Sequence, residues 1–196
     1  MRRLATMLGG AALLAACETN PPPPPEHPVA MADPDNPLFA PGFLAKAASG
    51  DLFEIESSQM AIQMSTNPAV RNYANLLIAD HTRMGQAMMA AARSAGIVPP
   101  PPAILPEQQA LLGQLSSAGP NFDVAFRDAQ ITAHQGALGL MQNYAASGDV
   151  PTLRTAAQQA IPTIQMHLAQ AQALRVAPTL PAPPAPPTPM GRGERG

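Results

Sequence analysis

Four side chains of the kind that bind metals or carry protons stand where helical periodicity would turn them inward: Glu54, His81, His134 and His167. Each belongs to a different stretch of helix-like spacing, on or beside a stripe otherwise made of Ala, Leu, Ile and Met. A glutamate is almost never buried without a partner, so one such residue per helix calls for an explanation. One carboxylate and three imidazoles form a donor set suited to a single zinc, copper or iron ion. The same groups equally suit a hydrogen-bonded polar network that fixes helix register. A carboxylate-rich di-iron centre is disfavoured, because that pattern needs Glu-x-x-His on two helices. Three residues before His81, His134 and His167 stand Ile78, Ile131 and Ile164. Asp80 precedes His81 and points about 100° away around the helix, which directs it to a surface pair with Arg83 or Arg127, or to orienting an imidazole. Asp123 is the second acid assigned such a supporting or ion-pairing role. Met84 and Met88 lie one and two turns beyond His81, and Met166 adjoins His167. Thioether with imidazole favours Cu(I), although methionine also serves as plain filler in an Ala-rich core.

The elements that must position these residues follow from the punctuation of the chain. Residues 39–65 carry Phe43, Ala47, Glu54, Ser58, Ala61 and Ser65 near one line, flanked by Leu44, Ile55 and Ile62. Asn67-Pro68 stops that helix and starts the next, with Asn as the cap and Pro at the first helical position. The second helix runs to Ala95, before Gly96, with Val70, Ala74, Leu77, His81, Met84, Met88, Ala91 and Ala95 inward. Four consecutive prolines make 97–105 a loop, and 106–117 a short helix with Leu111, Leu112 and Leu115 inward. A third long helix spans about 122–146, with Phe126, Ala129, Ala133, Ala137, Met141 and Tyr144 inside. A fourth spans about 150–174, with Leu153, Ala157, Ala160, Ile164, His167, Ala171 and Leu174 inside and Pro162 as a kink. Measured from the first turn, Glu54 and His81 differ in height by roughly 3 Å, and His167 lies about 7 Å off the layer. The fold class is therefore all-α: a ferritin-like four-helix bundle with a short extra helix in the crossover. The competing arrangement is a pair of helical hairpins that complete their core as a homodimer.

Composition sets the limits. The chain has 196 residues, with 46% hydrophobic, 12% charged and 4% aromatic side chains and no Trp. Of its 25 prolines, 8 precede residue 38 and 7 follow residue 176. The expected organisation is thus one helical domain over 39–175, between a Pro-rich tether at 18–38 and a disordered Pro-rich tail at 176–196. Lys46 is the only lysine, and no basic patch exists to hold phosphates, which excludes nucleic acid as a partner. No Gly-rich phosphate loop, serine nucleophile elbow or His-Glu-x-x-His string is present, so nothing announces an enzyme.

The first seventeen residues, MRRLATMLGGAALLAAC, place two arginines before an apolar run too short to span a bilayer. Their ending, Leu14-Ala15-Ala16-Cys17, resembles the bacterial lipobox, in which the cysteine is lipidated and becomes the mature N-terminus. Cys17 is the only cysteine, so no intrachain disulfide can form. Pro21 to Pro25 would then hold the domain off the membrane as an extended polyproline spacer, with His27 solvated within it. Without Arg2 and Arg3 the charge becomes 9 basic minus 13 acidic residues, or −4.

Several strings, taken in order, carry a resemblance. They are Phe43-Leu44, Ala48-Ser49-Gly50-Asp51-Leu52-Phe53-Glu54-Ile55, Asn67-Pro68-Ala69-Val70, Asp80-His81-Thr82, Phe122-Asp123 with His134, and Ile161-Pro162 with His167-Leu168. Over about 40–175 the chain resembles the bacterial ferritin-like domain-of-unknown-function family 4142, whose members are described as exported or outer-membrane proteins. The resemblance implies a ferritin-like bundle and an envelope location, and no established activity.

Two functional classes follow. One is a non-catalytic envelope lipoprotein, facing the periplasm, whose bundle is an interaction or stress-related module around a buried Glu/His cluster. The other is a metal-binding or metal-dependent redox protein using Glu54, His81, His134 and His167. Both expect the membrane as a partner through Cys17. Cys17→Ser should therefore abolish lipid labelling and detergent partitioning, and unchanged partitioning would show that residues 1–17 are a plain signal peptide.

Overall fold

The computed structural model describes residues 35–177. Cys17, the polyproline run and the tail from residue 178 onward lie outside them. The described residues form five helices and no strand: α1 (Ala40–Met64), α2 (Pro68–Ser94), α3 (Pro106–Ser117), α4 (Phe122–Ser147) and α5 (Pro151–Ala173), with a 3-10 turn at Gly119–Asn121 before α4. The helix ends agree with the sequence reading to within two residues, because the punctuation is local. Proline occupies one of the first two positions of α1, α2, α3 and α5, where its missing N–H is no loss. Asn67 Oδ1 accepts the Ala69 N–H at 2.9 Å, and Gly96 turns the chain at φ +73 after α2. Pro162 lies inside α5 on its exposed side, and the helix continues through it.

The hairpin α1–α2 packs on the hairpin α4–α5, with α1 beside α4 and α2 beside α5. α3 lies against α1 and α4. The two hairpins thus close on each other within one chain, and no second copy is needed to complete the bundle. Ser49, fully buried in α1, fastens the crossover: its hydroxyl accepts the Leu105 N–H at 2.8 Å and donates to Gln108 Oε1 at 3.0 Å. None of the described helices is long and apolar enough to cross a membrane.

Two apolar cores occupy the two halves. The first joins Phe43, Leu44, Met88, Met141, Tyr144, Leu153 and Ile164. The second joins Phe53, Val70, Leu77, Leu115, Phe122 and Phe126. Between them, at mid-height, lies a layer of buried polar groups that includes Glu54, Ser57, His81, Gln130, His134 and His167. Three details depart from the sequence reading. Ala95 is exposed, since α2 ends at Ser94 and the chain turns away. Met84 and Ala91 are only half-buried. Gln130, which no apolar stripe includes, is fully buried.

The first core depends on Tyr144, whose ring stacks on Phe43 at a centroid distance of 3.7 Å and whose hydroxyl donates to Asp149 Oδ1 at 2.7 Å. Gly148 leaves room for that ring: a Cβ there would lie 2.5 Å from Tyr144. Gly148→Ala should therefore destabilise by roughly 1–3 kcal/mol through overpacking. Gly113→Ala in α3, where a Cβ would meet nothing within 4 Å, should stabilise by about 0.5–1 kcal/mol through helix propensity. Urea denaturation of the two variants checks the contrast, and equal midpoints would refute it.

Candidate metal centre

Three imidazoles from three helices meet in the polar layer: His81 of α2, His134 of α4 and His167 of α5. Their ring centroids are 5.6 Å (His81–His134), 5.3 Å (His81–His167) and 5.4 Å (His134–His167) apart. All three residues are buried, and one nitrogen of each lies within 4.8 Å of one nitrogen of each of the others. They are the only such His, Cys, Asp or Glu group among the described residues.

The other nitrogen of every ring is held from behind. His81 Nδ1 donates to Asp51 Oδ1 of α1 at 2.9 Å. His167 Nε2 donates to Asp80 Oδ2 of α2 at 2.9 Å. His134 Nδ1 donates to the Gln130 carbonyl, one turn earlier in α4, at 2.8 Å. A carbonyl oxygen only accepts, so this bond fixes the His134 tautomer and leaves a bare lone pair on Nε2. The carboxylates impose the same order on the other two rings in their neutral form. The nitrogens left over, His81 Nε2, His134 Nε2 and His167 Nδ1, are buried and have no hydrogen-bond partner among the described residues.

The anchors are themselves supported. Asp80 is 6% exposed and also pairs with Arg83 on its own helix. From the sequence, Asp80 is expected either in a surface pair with Arg83 or Arg127 or orienting an imidazole; here it pairs with Arg83 and holds His167, and it is interior because α5 packs against that side of α2. Asp51 fits beside α2 because Gly85 has no side chain, and a Cβ there would lie 3.0 Å from Asp51 Oδ2. Gln130 Nε2 donates to the Ser57 hydroxyl at 2.9 Å, and the Tyr73 hydroxyl donates to the His167 carbonyl at 3.0 Å.

Electrostatics follow from burial and these charges. Burial pulls His81 down, but the bond to Asp51 and the charges of Glu54, Asp51 and Asp80 outweigh it and leave its pKa raised. Burial lowers His134 to about 3, aided by the neighbouring His81 and His167. His167 is lowered by burial and by His81, against the pull of Asp80. Asp51 is raised by burial, which the His81 bond only partly offsets.

The four sequence candidates do not play one role. His81, His134 and His167 converge, whereas Glu54 stands to one side. Its Oε1 lies 3.5 Å from His134 Nδ1, the nitrogen already bonded to Gln130, and its Oε2 has no partner. Asp123 sits half-buried in the first turn of α4, eleven residues before His134, with no ion pair to the cluster. Asp51 and Gln130 were not foreseen. Asp51 precedes Glu54 by three residues, one turn on the same side of α1, a spacing that shows a shared face but not the partner across from it.

The fold and site together define an all-α bundle with a buried three-histidine layer. Residues 25–174 match the family described as Domain of unknown function (DUF4142), and the chain belongs to that family. No curated protein matches the sequence. Among solved structures, the fold is similar to "CopM in the Cu(II)-bound form", with a TM-score of 0.59 and 19% identity over 69% of this chain and 94% of that one. It is similar also to "CopM in the Ag-bound form (by co-crystallization)", with a TM-score of 0.57 and 21% identity over 69% of this chain and 93% of that one. At this level of identity the likeness is one of fold.

Glu54 gives this site a signature in the metal-free protein. Burial raises its pKa from 4.5 to about 8, with His81 lowering and Asp51 raising it. Between those values the folded protein keeps a proton that the unfolded chain releases, so wild-type stability falls as pH rises. Glu54→Gln carries no such proton and should gain on wild type steadily from pH 4.5 to 8. Glu54→Ala carries no such proton either and should show the same pH trend, offset downward by the cavity it leaves. Denaturant titrations at a series of pH values test this, and a Gln-to-wild-type difference independent of pH would contradict it.

Proposed function

We propose that this protein is an envelope lipoprotein that holds one transition-metal ion, copper foremost, on His81 Nε2, His134 Nε2 and His167 Nδ1. The observation that carries the reading is the pairing of inward lone pairs with outward anchors. Every imidazole has one nitrogen spent on a carboxylate or backbone carbonyl and the other buried without a hydrogen-bond partner among the described residues, and the three rings each bring one nitrogen within 4.8 Å of the others. That is the arrangement in which metal-binding histidines are ordinarily held, with the outer bond fixing tautomer and raising basicity. A network alone accounts for it poorly. Each buried unsatisfied group costs about 1–3 kcal/mol, and three of them make a large fraction of a stability of about 5–15 kcal/mol.

Copper leads for two reasons. Imidazole suits zinc, copper and iron, and Cu(II) binds such nitrogen donors most strongly in the divalent series. CopM, whose fold this chain shares, has been solved with Cu(II) and with Ag. Three protein ligands leave a coordination position open, as in sites where a metal exchanges ligands rather than serving only as a staple. The role that follows is binding or handling of the metal at the cell envelope. The envelope location itself rests on the lipobox-like Cys17.

The test is metal analysis of purified protein lacking residues 1–17, loaded separately with copper, zinc and iron. One equivalent of copper should be retained after dialysis. His134→Ala and His167→Ala should each lose it while circular dichroism stays helical. Asp51→Asn and Asp80→Asn should weaken binding by about 10–100-fold by removing only the outer anchors. Wild-type protein that retains no stoichiometric metal, or a His134→Ala variant that binds as tightly as wild type, would refute the proposal.

A further inference from the structure

A cavity of about 670 Å³ opens into the first half of the bundle, far more space than an ion and its ligands fill. Its walls are mainly apolar, with Met84, Met88, Leu111, Leu140, Met141 and Ile164 among them, interrupted by Glu107, Gln108, Gln159 and several threonines. Gly50 and Gly136 also line it, and a Cβ at either would meet nothing within 4 Å. Exposed Gly136 and Thr155 belong to its lining, so it communicates with solvent. Its polar end is the edge of the histidine layer, where Asp51, Glu54 and His81 reach it. A volume of this size, with apolar walls and a few convergent polar groups, is characteristic of small-molecule sites.

Glu54 specifies the head of the ligand. The side chain is 3% exposed and borders the cavity, with Oε2 itself buried and unpartnered among the described residues, so a ligand meets the exposed edge of the carboxyl group. A hydroxyl both donates and accepts, so it suits that edge whether or not the carboxyl carries a proton. An anionic head is opposed there, because Asp51 and Glu54 share that end. The one lining ammonium, Lys46, is eight residues from Glu54, or about 12 Å along α1.

We propose that this cavity is a binding site for an uncharged amphiphile, with an apolar body between the two hairpins and a single hydroxyl at Glu54. The site does not depend on a bound metal.

The experiment titrates the metal-free full chain in detergent with N-phenyl-1-naphthylamine, an uncharged apolar fluorescent probe, and then displaces the probe with 1-decanol or decanoate. Saturable one-to-one binding is expected, with 1-decanol displacing at least tenfold more effectively than decanoate. Gly136→Leu and Gly50→Leu add bulk to the cavity lining from α4 and α1, and each replaces a mid-helix glycine with a better helix former. Each should weaken probe binding at least tenfold while leaving copper stoichiometry unchanged. Absence of saturable binding, or wild-type probe affinity in both leucine variants, overturns the site. Equal displacement by decanoate moves the head to Lys46 and overturns the assignment to Glu54. Copper stoichiometry, read in parallel on the same samples, reports on the metal centre separately from the cavity.

Discussion

Three imidazoles buried at one height are the constraint around which the rest of this bundle is arranged. A desolvated ring nitrogen must be met by a partner of the right polarity, and no single helix supplies enough of them. Asp51 of α1 therefore serves His81 of α2, and Asp80 of α2 serves His167 of α5. Gln130 of α4 offers its carbonyl to His134 and its amide to Ser57 of α1. Tyr73 adds a second tie from α2 to α5. The bonds run α1 to α2, α2 to α5 and α4 to α1, so each long helix is fixed to a neighbour at the same level.

Such a layer supplies what the apolar halves cannot. Alanine packs without defining depth, and methionine adapts to whatever gap it meets. With few aromatics, the aromatic anchors are Phe43 and Tyr144 in one half and Phe53, Tyr73, Phe122 and Phe126 in the other. Hydrogen bonds at 2.8–2.9 Å are directional, and sliding any helix by one turn would part them. The small residues have a second consequence. Gly85 lets Asp51 lie against α2, while Gly50 and Gly136 leave open the space between the hairpins.

Much of this was legible in the sequence because it is encoded locally. Asn67-Pro68, Gly96, Pro106, Gly119-Pro120 and Pro151 mark helix ends through backbone chemistry that depends on no distant contact. Helical phase turns His81, His134 and His167 inward, but counting residues from the turns leaves His167 about 7 Å off the layer, whereas its ring centroid lies 5.3 Å from that of His81 and 5.4 Å from that of His134. Phase and height are all that periodicity conveys. It does not say which ring nitrogen faces which neighbour, and so it grouped Glu54 with the converging set although that side chain meets the anchored edge of His134. The 100° step from His81 leaves Asp80 either in a surface pair or behind an imidazole; it takes both roles, because each long helix here has two long neighbours and the inward arc is wide enough to include both residues. Asp51 could not be recognised without knowing that Gly85 lies opposite it. The lipobox-like ending at Cys17 and the two Pro-rich flanks lie outside the described residues.

The distinction between a polar network and a binding centre finally turns on where the hydrogens are. A layer that served only to fix register would orient its rings toward one another, each N–H meeting a bare nitrogen. Here the acceptors Asp51, Asp80 and the Gln130 carbonyl draw the N–H of each ring outward. In the neutral form this leaves His81 Nε2, His134 Nε2 and His167 Nδ1 as buried lone pairs with no hydrogen-bond partner among the described residues. Holding that arrangement in a low-dielectric interior is unfavourable for the protein alone. A cation at the centre reverses the sign of the same term, because each lone pair then meets positive charge and each outer carboxylate stabilises the polarised ring. The energetic frustration of the layer and its competence to hold a metal are therefore one property, set by three anchors that lie outside the site they prepare.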